Sequence, residues 1–384
     1  MTHGVAVVGG SAAGFFTAYL LARRGLRVRV FEAADRLDPA PRTLIVTSRM
    51  RGVLGPLGES AVVNEIRRFE LFTDGRFATV PLRTPDQVIE RSTLIRDLAS
   101  QAEAAGARVL LGQRFHGLEP RATGLSFTVE RGKGGRIEEV QARTVIGADG
   151  ASSQVARAAG WPRLATVPLV QAIVELPADQ PPDTTRVWFA PEDTPYFYWL
   201  IPESPTRGVL GLIGEAGQVT RQSLERFLEK RGLTPIEFQG AAIPLYTRWL
   251  PAHRRVGDGH VYLVGDAAGQ VKVTTVGGIV TGFRGALGVA EAILNGGSSR
   301  ELRALRRELD LHLLIRRTLH RFTQEDYSRL LDLLNGSAQC PLGLYTRDEA
   351  ARLLWHLCLR QPRLVLLGIR TLLTSSSLPH RIPT

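Results

Sequence analysis

The residues able to do chemistry begin at position 9. Gly9-Gly10-Ser11-Ala12-Ala13-Gly14 follows the apolar run Val5 to Val8 and precedes a helical stretch, Phe15 to Arg24, closed by Gly25. A second apolar run, Leu26 to Phe31, ends at Glu32 with Ala33 behind it. A pyrophosphate needs unpaired backbone N–H donors and the positive end of a helix, and small side chains let the backbone come close. An acid at the end of the second strand can accept hydrogen bonds from a ribose diol. Ser11 stands where such turns prefer glycine, but its small side chain need not block the phosphate. Strand, glycine turn, helix, strand and acid in this order favour a dinucleotide site over a tight turn that binds nothing.

Three more motifs follow. Gly147-Ala148-Asp149-Gly150-Ala151-Ser152-Ser153 comes directly after the apolar strand Thr144 to Ile146. Alone, its Asp-Gly pair is a turn signal. Val261 to Gly269 reads as a strand running into Gly265-Asp266, which puts a carboxylate at the edge of the sheet where ligands of such folds bind. Arg91-Ser92-Thr93-Leu94 heads a helix that feeds Gly106-Ala107-Arg108-Val109.

In this order and spacing, over roughly residues 4–295, the four motifs resemble FAD-dependent oxidoreductases of the para-hydroxybenzoate hydroxylase superfamily. The resemblance implies that Gly9 to Gly14 holds the FAD pyrophosphate and that Glu32, with Ala33 beside it, holds the adenosine ribose. It implies that Asp266, after Gly265, bonds the ribityl chain, that Arg91 lies near the cofactor, and that Asp149 belongs to a second fingerprint. Arg42 is a candidate for a phosphate contact, although an exposed loop arginine is the commoner outcome.

The stretch after Asp266 narrows the family. Gly265-Asp266-Ala267-Ala268-Gly269-Gln270-Val271-Lys272-Val273-Thr274-Thr275-Val276-Gly277-Gly278-Ile279 resembles the geranylgeranyl reductase pattern, with Val273 in place of a proline and Val276 in place of a glycine. Gly277, Gly278 and Ile279 then open a helix whose positive end would face the flavin and stabilise its anionic reduced ring. Phe197-Tyr198-Trp199-Leu200-Ile201-Pro202 is similar to the aromatic strand that lines the lipid cavity in that family. Flavin-dependent halogenases carry a similar strand, but they need a lysine near the flavin, and none occurs before Lys133. Phe197, Trp199, Ile201, Pro202 and Lys272 are therefore the expected substrate contacts. The alternatives are a strand buried in the core and a solvated lysine. Relatives often carry a cysteine-glycine pair soon after the second strand, whereas Pro41 to Thr47 has no cysteine. A proton would have to come from another group or from water, and no catalytic residue is assigned.

The resemblance implies hydride delivery from reduced FAD to an alkene of a prenyl lipid, a quinone side chain or a prenyl diphosphate, with NAD(P)H or another reductant as electron donor. The rival readings are a flavin-dependent aromatic monooxygenase or halogenase-like enzyme, and a flavin-containing lipid-binding protein.

The elements that must position these groups follow from the pattern along the chain. Short apolar strands alternating with helices predict an α/β fold with a Rossmann-like FAD-binding domain over 1–161 and 256–296. Extended segments over 162–255 predict an inserted antiparallel β-sheet substrate domain, and residues 297–384 a C-terminal helical region. Residues 42–85 show no clear pattern. The net charge of +11 is carried by arginine, since the lysines are only Lys133, Lys230 and Lys272. The arginines are scattered, without the aromatic interleaving that single-stranded nucleic acid needs. Two cysteines, Cys340 and Cys358, leave no CxxC metal site and no disulfide framework. The start carries no secretory leader, and no apolar run reaches the roughly 18 to 20 residues of a membrane span, which points to the cytoplasm. Arginines among leucines (Arg303, Arg306, Arg307, Arg316, Arg317) and the apolar run Leu364 to Leu373 suggest either helix packing or a peripheral contact with lipid.

Overall fold

The computed structural model describes residues 4–132, 134–215, 219–335 and 343–360, and between 362 and 370 all but 364, 365 and 369. The first sheet has six strands, drawn from segments spread over residues 5–263, in the order β16-β17-β10-β1-β2-β6. Its parallel strands are β17 (Gly259–Leu263), β10 (Thr144–Gly147), β1 (Val5–Val8), β2 (Val28–Phe31) and β6 (Arg108–Leu110). β16 (His253–Val256) closes one edge as an antiparallel hairpin partner of β17. All four residues of β1 are buried, as a strand covered on both faces requires. Helices α1 (Ala12–Ala22), α3 (Arg91–Ala104) and α6 (Ile279–Leu294) pack together over this sheet. Phe15, Leu21, Leu94, Leu98, Phe283 and Val289 sit in their shared core. α1 is apolar nearly all round because it is enclosed on every side, and Gly25 turns the chain after it with φ of +79°.

The second sheet has eight strands, in the order β15-β11-β14-β13-β12-β4-β5-β3. Five come from the segment expected to form it: β11 (Thr166–Glu175), β12 (Thr184–Trp188), β13 (Tyr198–Pro202), β14 (Arg207–Ile213) and β15 (Pro235–Pro244). The other three are β3 (Thr43–Val46), β4 (Val62–Thr73) and β5 (Arg76–Glu90), from the stretch that the sequence left irregular. β4 breaks the period-2 pattern because two register shifts interrupt its pairing with β5 and few of its residues are fully buried. The pairing of β12 with β4 is parallel and joins the two sets of strands. α5 (Thr220–Lys230) covers one face through Leu224, Phe227 and Leu228.

A small antiparallel sheet is formed by β7 (Gln113–Arg121), β8 (Gly124–Arg131) and β9 (Arg136–Ala142). Two short helices, α2 (Arg49–Leu54) and α4 (Gln154–Ala158), follow loops at the sheet edge. The C-terminal part is helical, as expected: α7 (Arg300–Leu319), α8 (Gln324–Leu334) and α9 (Ala350–Arg360). Arg316 is buried, lies 4.7 Å from the Tyr196 ring centroid and donates to the Pro195 carbonyl, so it packs the helix and does not face lipid. Of the run Leu364 to Leu373, Leu364, Val365, Ile369 and everything after Arg370 lie outside the described residues, as does Cys340.

Candidate functional site

The glycine turn is built for close approach. Gly9 has φ of +104°, and a Cβ there would sit 2.6 Å from the Ala148 carbonyl carbon and oxygen. A Cβ on Gly14 would meet the Gly9 oxygen at 2.5 Å. Ser11 turns out to be the N-cap of α1, its Oγ accepting from Gly14 N at 3.2 Å. The departure from glycine thus adds a helix cap. The amides of Ala12 and Ala13 lie in the first turn, where the helix itself offers no acceptor. Glu32 lies at the same turn, with Oε2 accepting from Gly10 N at 2.6 Å and Oε1 from Ala34 N at 2.8 Å. Ala33 is part of that same bend.

Asp149 is spent on its own neighbourhood. Oδ1 accepts from the Ser153 hydroxyl at 2.5 Å, and Oδ2 accepts from the amides of Gln154 and Val155. It caps α4 and fixes the 147–150 backbone against Gly9, where it shapes the cradle from behind.

Asp266 has the opposite situation. It stands in a 3-10 turn, Gly265–Ala268, and among the described residues no group donates a hydrogen bond to its carboxylate. Burial raises its pKa, against the pull of Arg91 and then Arg42. Both arginines are half-buried and anchored by backbone carbonyls, Arg42 Nη2 on Gly240 O at 3.0 Å and Arg91 Nη1 on Ala40 O at 3.4 Å. Burial in turn lowers the pKa of each guanidinium. A Cβ on Gly278 would lie 3.1 Å from Asp266 Oδ1, so glycine lets the start of α6 reach the carboxylate. Gly278 caps α6 without a side-chain bond, leaving the first-turn amides of Ile279 and its successors for a ligand. Gly265 is held by Gln270, whose Oε1 accepts from its amide at 2.7 Å, in space that any side chain on Gly285 would fill. Bare amides, an acid at the turn, an unbonded carboxylate between two arginines and an open helix start fit an FAD.

Next to this cradle is a cavity of about 350 Å³. Phe197, Trp199 and Ile201 line it from one side, and Ile45 and Val46 of β3 also contribute. Pro202 is buried at the end of β13 but is not part of the wall; its carbonyl accepts from Asn64 Nδ2 at 2.9 Å. A Cβ on Gly211 would lie 2.5 Å from Trp199 Cζ2, so the indole has its place because β14 carries glycine opposite it. Val276 and Gly277 line the cavity where it approaches α6. Val276 has φ of +51°, the left-handed backbone that a glycine would adopt freely and a β-branched residue resists.

One end of the cavity is charged. Lys272 is 5% exposed and forms an ion pair with Asp348, so it is not a solvated lysine. Thr47 donates its hydroxyl to the other oxygen of Asp348, and Arg49 Nη1 donates to the Asp348 carbonyl at 2.9 Å. Burial alone would raise the Asp348 pKa, but the Lys272 ammonium and the Thr47 hydroxyl hold it at about 2. Asp86, 3% exposed on β5, lines the cavity with one oxygen 2.7 Å from Arg347 Nη1. Burial pushes its pKa up, against Arg347 and Lys272. The neighbouring His312 is kept neutral, with a pKa lowered to about 3 by burial and then by Lys272. The strand wall of Phe197, Trp199 and Ile201 carries no ionisable group, but the cavity as a whole does. Asp86, Arg347 and Asp348 had no sequence signal, since they are isolated charges brought together from distant segments.

The family model of an FAD binding domain matches residues 2–295. Digeranylgeranylglycerophospholipid reductase 2 of Methanothermobacter thermautotrophicus is 32% identical over 73% of this chain and 74% of its own length. Geranylgeranyl diphosphate reductase of Rhodobacter capsulatus is 30% identical over 80% of this chain and 79% of its own. A solved geranylgeranyl bacteriochlorophyll reductase-like protein of Thermoplasma acidophilum superposes with a TM-score of 0.78 at 20% identity, covering 96% of this chain and 99% of that one.

Proposed function

We propose a function from the premise that this chain belongs to the geranylgeranyl reductase family of FAD-dependent oxidoreductases. It reduces carbon–carbon double bonds of an isoprenoid chain lying in the cavity beside the cofactor cradle. The single observation that carries this reading is the continuity of the two: Val276 and Gly277 line the cavity, and Gly278, the next residue, abuts Asp266. An apolar wall of Phe197, Trp199 and Ile201 suits a polyprenyl chain, because a small phenol needs polar groups to orient it.

In this reading Gly9 to Gly14 and the start of α1 bind the FAD pyrophosphate, and Glu32 gives up its Gly10 contact for the ribose. Asp266 accepts from the ribityl chain, and Arg42 and Arg91 balance its charge. FAD, when bound and reduced, supplies the hydride. The cavity orients the alkene and keeps water from it. NAD(P)H or another reductant recharges the flavin. Among the described residues no helix is long and apolar enough to cross a membrane. Exposed Trp355, Leu359 and Leu366, with Leu344 both exposed and lining the cavity, support a peripheral contact through which a prenyl lipid enters.

The test is anaerobic single turnover. Dithionite-reduced holoprotein mixed with a geranylgeranyl lipid or diphosphate regains its oxidised flavin absorbance, and mass spectrometry finds two added hydrogens for each double bond lost. Flavin that stays reduced until oxygen enters, with oxygen then appearing in an aromatic substrate, makes the protein a monooxygenase instead.

A further inference from the structure

Adding hydrogen across an isolated double bond takes a proton as well as a hydride, and this chain has no cysteine between Pro41 and Thr47 to supply one. The cavity wall offers few acids. The Tyr345 hydroxyl is engaged with His356 Nε2 at 2.7 Å, and the Lys272 ammonium is committed to Asp348. Arg347 does not release protons, and the threonine hydroxyls along the wall are far too weak. Asp86 is the remaining group and the one carboxyl among the described residues lining the cavity.

We propose that Asp86 is the proton donor of the reaction, with Arg347 holding the carboxylate it leaves behind. The assignment rests on the reductase reading above. The O–H bond of Asp86 breaks as a C–H bond forms at one alkene carbon, the π pair supplying its electrons. The other carbon takes the hydride from reduced FAD, the reductant, which is thereby oxidised. The carboxylate then recovers its proton from solvent.

Three observations support the assignment. Asp86 is buried on β5 in the wall itself, and its Oδ2, 2.7 Å from Arg347 Nη1, is buried without a well-aligned hydrogen-bond donor. Arg347, fixed 4.7 Å from the Phe69 ring centroid, can stabilise the new anion without moving. The two carboxyls at this end are also driven apart. Lys272 and Thr47 keep Asp348 ionised, while burial outweighs Arg347 and Lys272 at Asp86, with the Asp348 charge adding to the rise. Two acids whose surroundings split them in this way divide the roles of charge and proton donor.

The experiment uses FAD-loaded full-length Asp86→Asn and Asp86→Glu. Infrared difference spectra at neutral pH, wild type minus Asp86→Asn, should show a protonated carboxyl C=O band, which needs no turnover. Single-turnover reduction of the prenyl substrate should fall about 100- to 10,000-fold in Asp86→Asn, the range for a lost general acid. Asp86→Glu should recover part of it. The wild-type rate should decline as pH rises through the elevated pKa of Asp86, and this limb should vanish in Asp86→Asn. Flavin reduction by dithionite and substrate binding, read from the flavin spectrum, should stay unchanged. An Asp86→Asn rate within about threefold of wild type, or no carboxyl band, overturns the assignment and makes water the donor. A wild type that reduces no prenyl substrate fails the reductase reading itself, and the assignment falls with it.

Discussion

Replacing Asp348 by asparagine removes the counter-ion of a lysine with nowhere to go. The side chains of Lys272 and Asp348 are 6% and 1% exposed, so water cannot take over from the lost carboxylate. Two routes give the size of the effect. Breaking one partner of a buried pair costs about 3 to 5 kcal/mol, because the survivor is left charged and alone. The folded pKa of about 2 for Asp348, against an ordinary 3.8, gives about 2 kcal/mol at 1.36 kcal/mol per pH unit. The sign follows from the depressed value: this stability is present above the ordinary pKa and is lost as pH falls through the folded one. Urea unfolding of the FAD-saturated protein at pH 7 should therefore show Asp348→Asn less stable by about 2 to 4 kcal/mol. The gap to wild type should narrow as the pH is lowered from about 5 towards 2. The double variant Lys272→Met/Asp348→Leu should recover most of the loss, since an apolar pair of similar volume often replaces a buried ion pair at little cost. A single variant within about 0.5 kcal/mol of wild type, with no change in the gap on acidification, would refute the buried pair.

Three further outcomes are expected. Asp266→Ala should weaken FAD binding by about 1.5 to 3 kcal/mol, the worth of a charge-assisted hydrogen bond, as measured by titrating apoprotein with FAD; an unchanged Kd places the carboxylate elsewhere. Trp199→Ala should depress binding of long prenyl chains while leaving flavin reduction by dithionite intact. A loss of about 3 to 5 kcal/mol in stability without selective loss of the prenyl chain makes the indole a core residue only. Val276→Gly should be more stable than Val276→Ala by about 1 kcal/mol, since both lose the isopropyl group but only glycine adopts the left-handed backbone without strain. Equal thermal stability of the two variants argues against that backbone.

What was legible in the sequence was what is local. The first strand, turn and helix, the Glu32 and Asp266 positions and the alternating Phe197, Trp199 and Ile201 all follow from neighbours within a few residues. Even Val276 was visible as a departure, although only its φ of +51° shows what the departure imposes. Two things were not legible. The strands over 43–90 hide because β4 is bulged and mostly half-exposed, so neither face reads as apolar. The charged end of the cavity hides because its members come from positions 86, 272, 347 and 348, and no short-range pattern marks which arginine will meet which aspartate. Pro202 was misplaced by counting it with the motif that precedes it. The strand ends there, and Pro202 does not line the cavity.

The parallel seam between β12 and β4 also constrains how the chain can be made. Thr184 pairs with Arg68, 116 residues earlier. At about 5 to 20 residues per second, a ribosome that has finished the β4–β5 hairpin needs on the order of ten seconds to deliver the strand that covers its open edge. An uncovered edge invites pairing with another nascent chain, and charged side chains are the usual defence. β4 carries Glu65, Arg67, Arg68 and Glu70 on the stretch that waits. When β12 arrives, these groups are reused: Arg68 donates to the Thr184 hydroxyl, and Glu70 accepts from Arg186 at 2.9 Å. The charges that make β4 hard to recognise as a strand would thus guard it during synthesis and then fasten the seam.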